Sequence, residues 1–205
     1  AKLDLRSQAA SRYRASSTEC IAERLEAAAR QHAQRPLLLD GDVRLSYEQT
    51  NRRINQAAHA LHALGVRRGD VVALCMENHP WFFCLTWGFQ RAGVHYVALS
   101  SRLTAPEVAY ILEDSAARLL FGSTKMAPVL DEVARELPAV PQLRFDRPGA
   151  QCAEAALAAQ PATPITDERA GVDMLYSSGT TGRPKGVKPE LTGGPIDAPT
   201  ALAVM

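Results

Sequence analysis

The residues best suited to chemistry lie in one short segment, Tyr176 to Gly186, which reads YSSGTTGRPKG. Gly179 and Gly182 allow backbone angles that other residues avoid, so main-chain N–H groups can approach a ligand closely. Inward-pointing hydroxyl and amide groups form a concave donor surface for anions. Lys185 adds a positive charge on a long stem, and the whole set predicts a polyphosphate site. The hydroxyl donors of that set are Ser177, Ser178, Thr180 and Thr181.

This segment differs from the common P-loop, in which Gly directly precedes the Lys and Ser or Thr directly follows it. Here Pro184 precedes Lys185 and Gly186 follows it. The GxGxxG pattern of dinucleotide-binding folds is absent from the sequence. A second interpretation is a solvated Ser/Thr/Gly linker. We disfavour it because linkers rarely follow a buried strand or contain a Pro-Lys-Gly stop.

The elements that must position this loop alternate between strand and helix. Capping boxes at Ser16, Ser46 and Thr104 predict helix starts, and Asp40-Gly41-Asp42 predicts a β-hairpin. Buried strands separated by helices need crossover connections, which predict an α/β fold with a mostly parallel sheet flanked by helices. Ligands of such sheets bind beyond the carboxyl ends of the strands, where the loop begins. The predicted strands are Val71–Met76, Val94–Leu99, Arg118–Phe121, Leu143–Phe145 and Val172–Tyr176.

Composition excludes several classes of protein. The chain has 205 residues, 46% of them hydrophobic, and 23 Lys+Arg against 22 Asp+Glu give a net charge of +1. This balance excludes wholesale disorder and provides no field that would gather nucleic acid or an anionic membrane. The longest apolar stretch, Pro80 to Phe89, is too short for a membrane span. The cysteine spacing matches neither a zinc site nor a disulfide framework, and it favours a reducing cytoplasm.

Other candidate groups have simpler interpretations. His59 and His62 stand three apart in a predicted helix, but no third ligand lies nearby, so we predict no metal site. The adjacent acids Glu113 and Asp114 point to different faces of a helix and are expected to be solvated. The aromatic residues between Trp81 and Phe89 recur at helical spacing and are expected to pack in the core. We assign no catalytic residue within this chain.

The segment from Ser177 to Gly186 resembles the signature of the adenylate-forming acyl-CoA synthetases, a superfamily that also holds peptide-synthetase adenylation domains and beetle luciferases. The signature is a strand followed by S-S/G-G-T-T-G-x-P-K-G, and every defined position matches. Further resemblances follow in the family's order and cover nearly the whole chain, although Ala98 replaces a common Pro. They are Leu45–Tyr47, Gly65–Leu74, Arg91–Leu99 and Ser101–Glu107.

The resemblance implies that residues 1–205 are the N-terminal part of the large domain of an acyl-CoA synthetase-like fold. Its implied substrates are a carboxylic acid, Mg²⁺-ATP and coenzyme A, which react through an acyl-adenylate to a thioester. Residues 176–186 would form the phosphate-binding loop, with the hydroxyls as donors and Lys185 neutralising charge. Donors fixed at the leaving pyrophosphate stabilise the transition state more than the ground state.

The chain also departs from the family pattern. Many relatives carry an apolar-Thr/Ser-His segment after the loop, whereas Val187 is followed here by Lys-Pro-Glu. The family's adenine pocket, Mg²⁺-binding acid, acyl pocket and small C-terminal domain with its catalytic Lys have no counterpart before Met205. We therefore expect the chain to be a piece of a longer protein, inactive alone and prone to self-association. The alternatives are a peptide-synthetase-type adenylation domain and a non-catalytic polyphosphate-binding module.

Overall fold

The computed structural model describes residues 21–145, 147–149, 151–177 and 183–191. The predicted capping box at Ser16 and the middle of the phosphate-binding loop lie outside these residues. The helices are α1 (Ile21–Gln31), α2 (Tyr47–Ala63), α3 (Pro80–Arg91), α4 (Ala105–Asp114), α5 (Ala127–Glu136) and α6 (Ala153–Ala158), with a 3₁₀ turn at Thr124–Met126. The strands are β1 (Pro36–Asp40), β2 (Val43–Ser46), β3 (Val71–Cys75), β4 (His95–Leu99), β5 (Ala117–Gly122), β6 (Gln142–Arg144), β7 (Val172–Asp173), β8 (Leu175–Ser177) and β9 (Lys185–Val187).

A five-stranded parallel sheet organises the chain, in the order β6-β5-β3-β4-β7. The central strand β3 is buried along its whole length, which fits its continuous apolar run. β4 and β5 flank it on either side, so consecutive strands are joined by crossovers as the alternating pattern predicts. The predicted α/β architecture with a mostly parallel sheet is confirmed.

Helices cover both faces of this sheet. α2, α3 and α6 pack on one face, where Leu61, Leu85 and Phe121 belong to one buried cluster. α4 and α5 pack on the other, where Val108 and Leu130 belong to a second cluster. The helix after β3 therefore lies on the opposite face from the helices after β4 and β5. This change of face matters for the position of ligand sites.

The predicted hairpin at Asp40-Gly41-Asp42 and the predicted caps at Ser46 and Thr104 are confirmed. β1 and β2 form an antiparallel hairpin, and Gly41 at its turn has φ 53°. Ser46 caps α2 in a capping box with Gln49. At the start of α4 the Glu107 carboxylate accepts hydrogen bonds from the backbone N–H and the hydroxyl of Thr104, at 2.8 and 2.7 Å. These contacts satisfy donors that a helix start otherwise leaves free.

Arg91, the last residue of α3, carries a buried guanidinium. It donates to the side-chain oxygens of Asn51 and Asn55 on α2. It also lies 3.4 Å from the Glu26 carboxylate on α1 and 3.5 Å from that of Glu168. Because a buried charge is tolerated only when paired, these contacts join α1 and the segment before β7 to the main helical layer.

The single strand predicted over Val172–Tyr176 is wrong in its pairing. β7 belongs to the parallel sheet, and the Met174 N–H still donates to the Tyr96 carbonyl of β4. From Leu175 onward the chain leaves the sheet and pairs antiparallel with β9. An apolar run indicates a strand but not its partner, and here a nearby segment competes with the sheet edge.

Two of the three described cysteines are buried thiols, as their apolar surroundings predict. Cys75 ends β3 and Cys84 lies in α3, and both are free. Burial raises the pKa of Cys75 to about 11 and that of Cys84 to about 12, because a thiolate loses its hydration there. Among the described helices, none has both the length and the apolarity needed to cross a bilayer.

Candidate functional site

The predicted phosphate-binding loop lies between β8 and β9, which pair antiparallel as a β-hairpin, here called the loop hairpin. Its last register pair joins Ser177 to Lys185, so two predicted site residues stand opposite each other at the mouth of the loop. Both are exposed. The remaining predicted site residues lie outside the described part of the chain: Ser178, Gly179, Thr180, Thr181 and Gly182.

The two faces of the loop hairpin differ in what they contact. Directly opposed residues of an antiparallel pair place their side chains on the same face, and neighbours along a strand alternate. Ser177 and Lys185 therefore share a face with the exposed pair Leu175 and Val187. Tyr176 lies on the other face, toward α4. The hydroxyl and ammonium groups are thus held on the side that is open to a ligand.

Tyr176 attaches the incoming strand to α4. Its hydroxyl donates to Oδ2 of Asp114 at 2.6 Å. Partial burial and this carboxylate raise the pKa of Tyr176 well above its usual value, because both disfavour the phenolate. Asp114 is exposed, as the sequence predicts, but it is not merely solvated. The sequence offered no signal for this contact, since the two residues are 62 positions apart.

Tyr110 attaches the outgoing strand to the same helix. Its hydroxyl donates to the Pro184 carbonyl at 3.2 Å. The Arg183 guanidinium lies over its ring, with Cζ 5.3 Å from the centroid, a distance at which the ring face attracts a cation. Beyond β9, a ring nitrogen of His95 lies 2.8 Å from the Pro189 carbonyl, which fixes the returning chain against the start of β4.

A second candidate site lies at the carboxyl edge of the sheet. The connections after β3 and β5 leave toward opposite faces, and such a switch point opens a crevice between them. A cleft of about 620 Å³ lies there, and the Ser123 hydroxyl bridges the two connections by donating to the Glu77 carboxylate. The sequence analysis did not predict this site. The polar residues Glu77 and Ser123, which closely follow β3 and β5, are the signal from which it could have been predicted. The polar lining comprises Glu77, Asn78, Ser100, Ser101 and Lys125.

The histidine pair weighed as metal ligands has another role in the structure. A ring nitrogen of His59 lies 2.9 Å from the Thr163 carbonyl, which ties α2 to the segment before β7. Among the described residues, no three His, Cys, Asp or Glu side chains come together in a way that could hold a metal ion. Within the described residues, the end of the loop hairpin presents the Ser177 hydroxyl and the Lys185 ammonium on its exposed face.

Comparison with known proteins agrees with this geometry. The model of the AMP-binding enzyme family matches residues 25–190. A long-chain-fatty-acid–CoA ligase, FadD13 of Mycobacterium tuberculosis, is 39% identical over 149 residues, covering 71% of this chain and 29% of that relative. A fatty acid–[acyl-carrier-protein] ligase, ScoC of Streptomyces coeruleorubidus, is 37% identical over 155 residues, covering 74% of this chain and 29% of the relative.

Solved structures extend the likeness to three dimensions. The anthranilate CoA ligase AuaEII, in a crystal structure with anthranoyl-AMP, superposes with a TM-score of 0.73 at 27% identity. That superposition covers 84% of this chain and 35% of the ligase. The chain thus spans about 29% of the length of the curated relatives just described.

Proposed function

The chain belongs to the family of AMP-binding enzymes, and from this premise we propose that it is the N-terminal part of an adenylate-forming ligase. The complete enzyme activates a carboxylic acid with ATP and passes the acyl group to a thiol. The observation that carries the proposal is the loop hairpin, whose mouth pairs Ser177 with Lys185 inside the matched region. The adenine and acyl pockets and the small C-terminal domain belong to the rest of the enzyme.

The loop binds the β- and γ-phosphates in this proposal. A carboxylate oxygen attacks the α-phosphorus, and the bond from that phosphorus to the β-phosphate bridging oxygen breaks. Negative charge then develops on the departing pyrophosphate. The Lys185 ammonium and the hydroxyls of Ser177, Ser178, Thr180 and Thr181 offset that charge, while Gly179 and Gly182 let backbone N–H groups approach. Donors held in place before the reaction act most strongly where charge develops.

Relatives support the nature of both half-reactions. The crystal structure of AuaEII holds anthranoyl-AMP, an acyl-adenylate. FadD13 is named for transfer to CoA. We extend the adenylate intermediate and the CoA acceptor to the complete enzyme containing this chain. In this proposal Mg²⁺ enters as part of the Mg²⁺-ATP substrate.

A carrier-protein acceptor is the second candidate, and one specific observation favours it. ScoC, at 37% identity, is named for transfer to an acyl-carrier protein rather than to CoA. Both acceptors present the same chemical group, a thiol. Supplying the complete enzyme with CoA or with a thiol-bearing carrier protein, and following thioester formation, separates the two. A non-catalytic polyphosphate-binding module would form neither thioester.

The decisive experiment measures ATP–pyrophosphate exchange by the complete enzyme with a panel of fatty and aromatic acids. We expect exchange that depends on the acid. Lys185→Ala should reduce kcat/KM for ATP about 10- to 100-fold, since a charge-assisted hydrogen bond is worth about 1.5–3 kcal/mol. Lys188→Ala is the matched control, because it removes the same charge from an exposed residue just beyond β9.

An unchanged kcat/KM for ATP in Lys185→Ala would contradict the proposed role of the loop. The chain of 205 residues alone should give no exchange, because the rest of the catalytic apparatus lies elsewhere in the enzyme. Exchange above background by that chain would contradict this part of the proposal. We also propose that the protein resides in the cytoplasm, because its cysteine spacing favours a reducing compartment. The proposed self-association of the chain is tested by light scattering.

A further inference from the structure

The loop hairpin is fastened to α4 on both sides of the phosphate-binding loop. We propose that α4 is the anchor of this loop and that Tyr110 and Asp114 are positioning residues for the nucleoside triphosphate. The inference rests on the proposed function, because it concerns how the loop is held while it binds the phosphates. Both residues act through the loop hairpin and touch no phosphate themselves.

The first attachment holds the incoming strand through Tyr176, whose ring lies beside Gly186 and whose hydroxyl donates to Asp114. A Cβ atom on Gly186 would lie 2.8 Å from Cζ and 2.9 Å from the hydroxyl oxygen of Tyr176. It would also lie 2.6 Å from Cε of Met174. The tyrosine ring thus crosses the space that a side chain at Gly186 would fill, and this path brings its hydroxyl to Asp114. Gly186 is therefore required by the anchor as well as by the loop.

The second attachment holds the outgoing strand. Tyr110 contacts two consecutive residues there, through its hydroxyl to the Pro184 carbonyl and through its ring face to the Arg183 guanidinium. Tyr110 and Asp114 are four positions apart, so they lie one above the other on the same face of α4. One turn of α4 therefore contacts both strands of the loop hairpin, at Tyr176 and at Pro184.

The helix α4 is held in the core, whereas the loop hairpin has little buried surface on its outer face. Val108, Ile111 and Leu112 bury the inner face of α4 in the core. By contrast, Leu175 and Val187 on the outer face of the loop hairpin are 64% and 61% exposed. A two-stranded hairpin alone is at best marginally stable in water. Its order must come from the helix behind it.

Such fixation contributes directly to nucleotide binding. When the flanking strands β8 and β9 are already fixed, less conformational freedom is lost as the triphosphate binds, so more of the contact energy appears as affinity. Holding the rear face against α4 also keeps Ser177 and Lys185 on the open face. The anchor therefore sets both the order and the direction of the donors.

The test compares Tyr110→Phe and Tyr176→Phe in the complete enzyme, because each change removes a hydroxyl and keeps the ring. Each should raise KM for ATP about two- to tenfold, the range for losing one hydrogen bond, and leave KM for the acid unchanged. Amide hydrogen exchange in residues 175–177 and 185–187 should accelerate. Tyr96→Phe is the matched control, because its hydroxyl contacts Gln90 at 3.4 Å, away from the hairpin.

Conservative and non-conservative variants of Asp114 separate a positioning role from a merely structural one. Asp114→Asn keeps an oxygen acceptor and should retain near-normal KM for ATP, whereas Asp114→Ala should match Tyr176→Phe. The double variant Asp114→Ala/Tyr176→Phe should be no worse than either single variant, because both remove the same bond. Full additivity would overturn the pairing.

The possible failures are distinguishable. If Lys185→Ala lowers kcat/KM for ATP while both tyrosine variants leave it unchanged, the anchor is rejected and the proposed function stands. If Lys185→Ala leaves kcat/KM for ATP unchanged, the proposed role of the loop is rejected and the positioning role falls with it. Unchanged hydrogen exchange of the hairpin in both tyrosine variants would also overturn the anchor.

Discussion

The parallel sheet and the loop hairpin differ in how they are stabilised. The sheet is covered by helices on both faces, and its central strand β3 is buried along its whole length. The loop hairpin leaves one face open and depends on polar contacts from two tyrosines. The buried sheet and the predicted donors are thus only four positions apart in the chain, since β7 ends at Asp173 and the predicted donors begin at Ser177.

This separation follows from the chemistry that each region must perform. A sheet gains stability by removing apolar area from water, which excludes ligands. A phosphate site needs free donors, so its residues cannot be buried in the same way. The loop hairpin accordingly lies outside the sheet, and its tyrosine contacts run to α4, a helix that packs on that sheet. The predictions below test the two regions against each other, beginning with the largest effect.

Removing a buried ring from the sheet should cost most. Phe121 on β5 is fully buried, and its centroid lies 5.5 Å from that of Phe89 and 6.4 Å from that of Phe145. Phe121→Ala should lower the free energy of unfolding by about 3–5 kcal/mol through lost contacts and the cavity left behind. Urea unfolding of the chain measures the change. A loss below about 1 kcal/mol would mean that this layer is loosely packed.

A methyl group at the junction of the two regions should cost less but affect both. A Cβ on Gly171, just before β7, would lie 2.5 Å from the Val94 carbonyl oxygen and 2.7 Å from that of Phe89. Backbone atoms cannot move aside cheaply, so Gly171→Ala should destabilise by about 1–3 kcal/mol and shift β7. Urea unfolding measures the loss, and hydrogen exchange of residues 172–177 follows the shift.

Gly41→Ala is the control for that substitution. Nothing lies within 4 Å of a Cβ at Gly41, although its φ is 53°. It should therefore cost only the strain of a left-handed backbone, about 1–2 kcal/mol, without altering exchange near the loop. Faster exchange of residues 172–177 in Gly41→Ala would remove the crowding explanation for Gly171→Ala.

The ion pair between the exposed Asp131 and the buried Arg144 should add a small, pH-dependent effect on the sheet. The hydrogen bond from Arg144 and the charge of that guanidinium lower the pKa of Asp131 below its usual range. A lowered pKa stabilises the fold above the unfolded carboxyl's pKa, and this contribution is lost as pH falls through the folded pKa. Asp131→Asn should therefore be less stable at neutral pH and approach the unmodified chain under acid conditions, in thermal unfolding. A difference that grows on acidification would contradict this sign.

The smallest effect is expected on the open face of the loop hairpin. Leu175 is 64% exposed, so Leu175→Ala removes little buried area and should change the free energy of unfolding by no more than about 0.5 kcal/mol. Urea unfolding beside Phe121→Ala gives the comparison directly. A loss of several kcal/mol would indicate that this face is covered, and the contrast between the two regions would fail.

Local signals predicted the sheet well. The continuous apolar run of β3 predicts its burial, and the caps at Ser46 and Thr104 are short-range contacts that the structure reproduces. The family resemblance names Ser177 and Lys185 as loop residues, and the structure pairs them at the end of the loop hairpin, while their binding role stays a prediction. Periodicity and capping act within a few residues, which is why they can be read from sequence.

The contacts that hold the site could not be predicted in this way. Tyr110 lies 74 positions from Pro184, and nothing in the residues around either one indicates that they meet. The division between β7 and β8 at Met174 escaped prediction because it depends on which partner strand wins. Glu77 and Ser123 form their bridge only once β3 and β5 lie side by side. All three features depend on residues that are distant in sequence and become neighbours only in the folded structure, so local sequence preference cannot predict them.

The buried thiols have a practical consequence for studying this protein in solution. With pKa values of about 11 and 12, Cys75 and Cys84 remain protonated at physiological pH and are shielded from maleimide reagents. Cys152, at the start of α6, is partly accessible. Of these three residues, it alone offers a point for attaching a fluorophore without first opening the folded core.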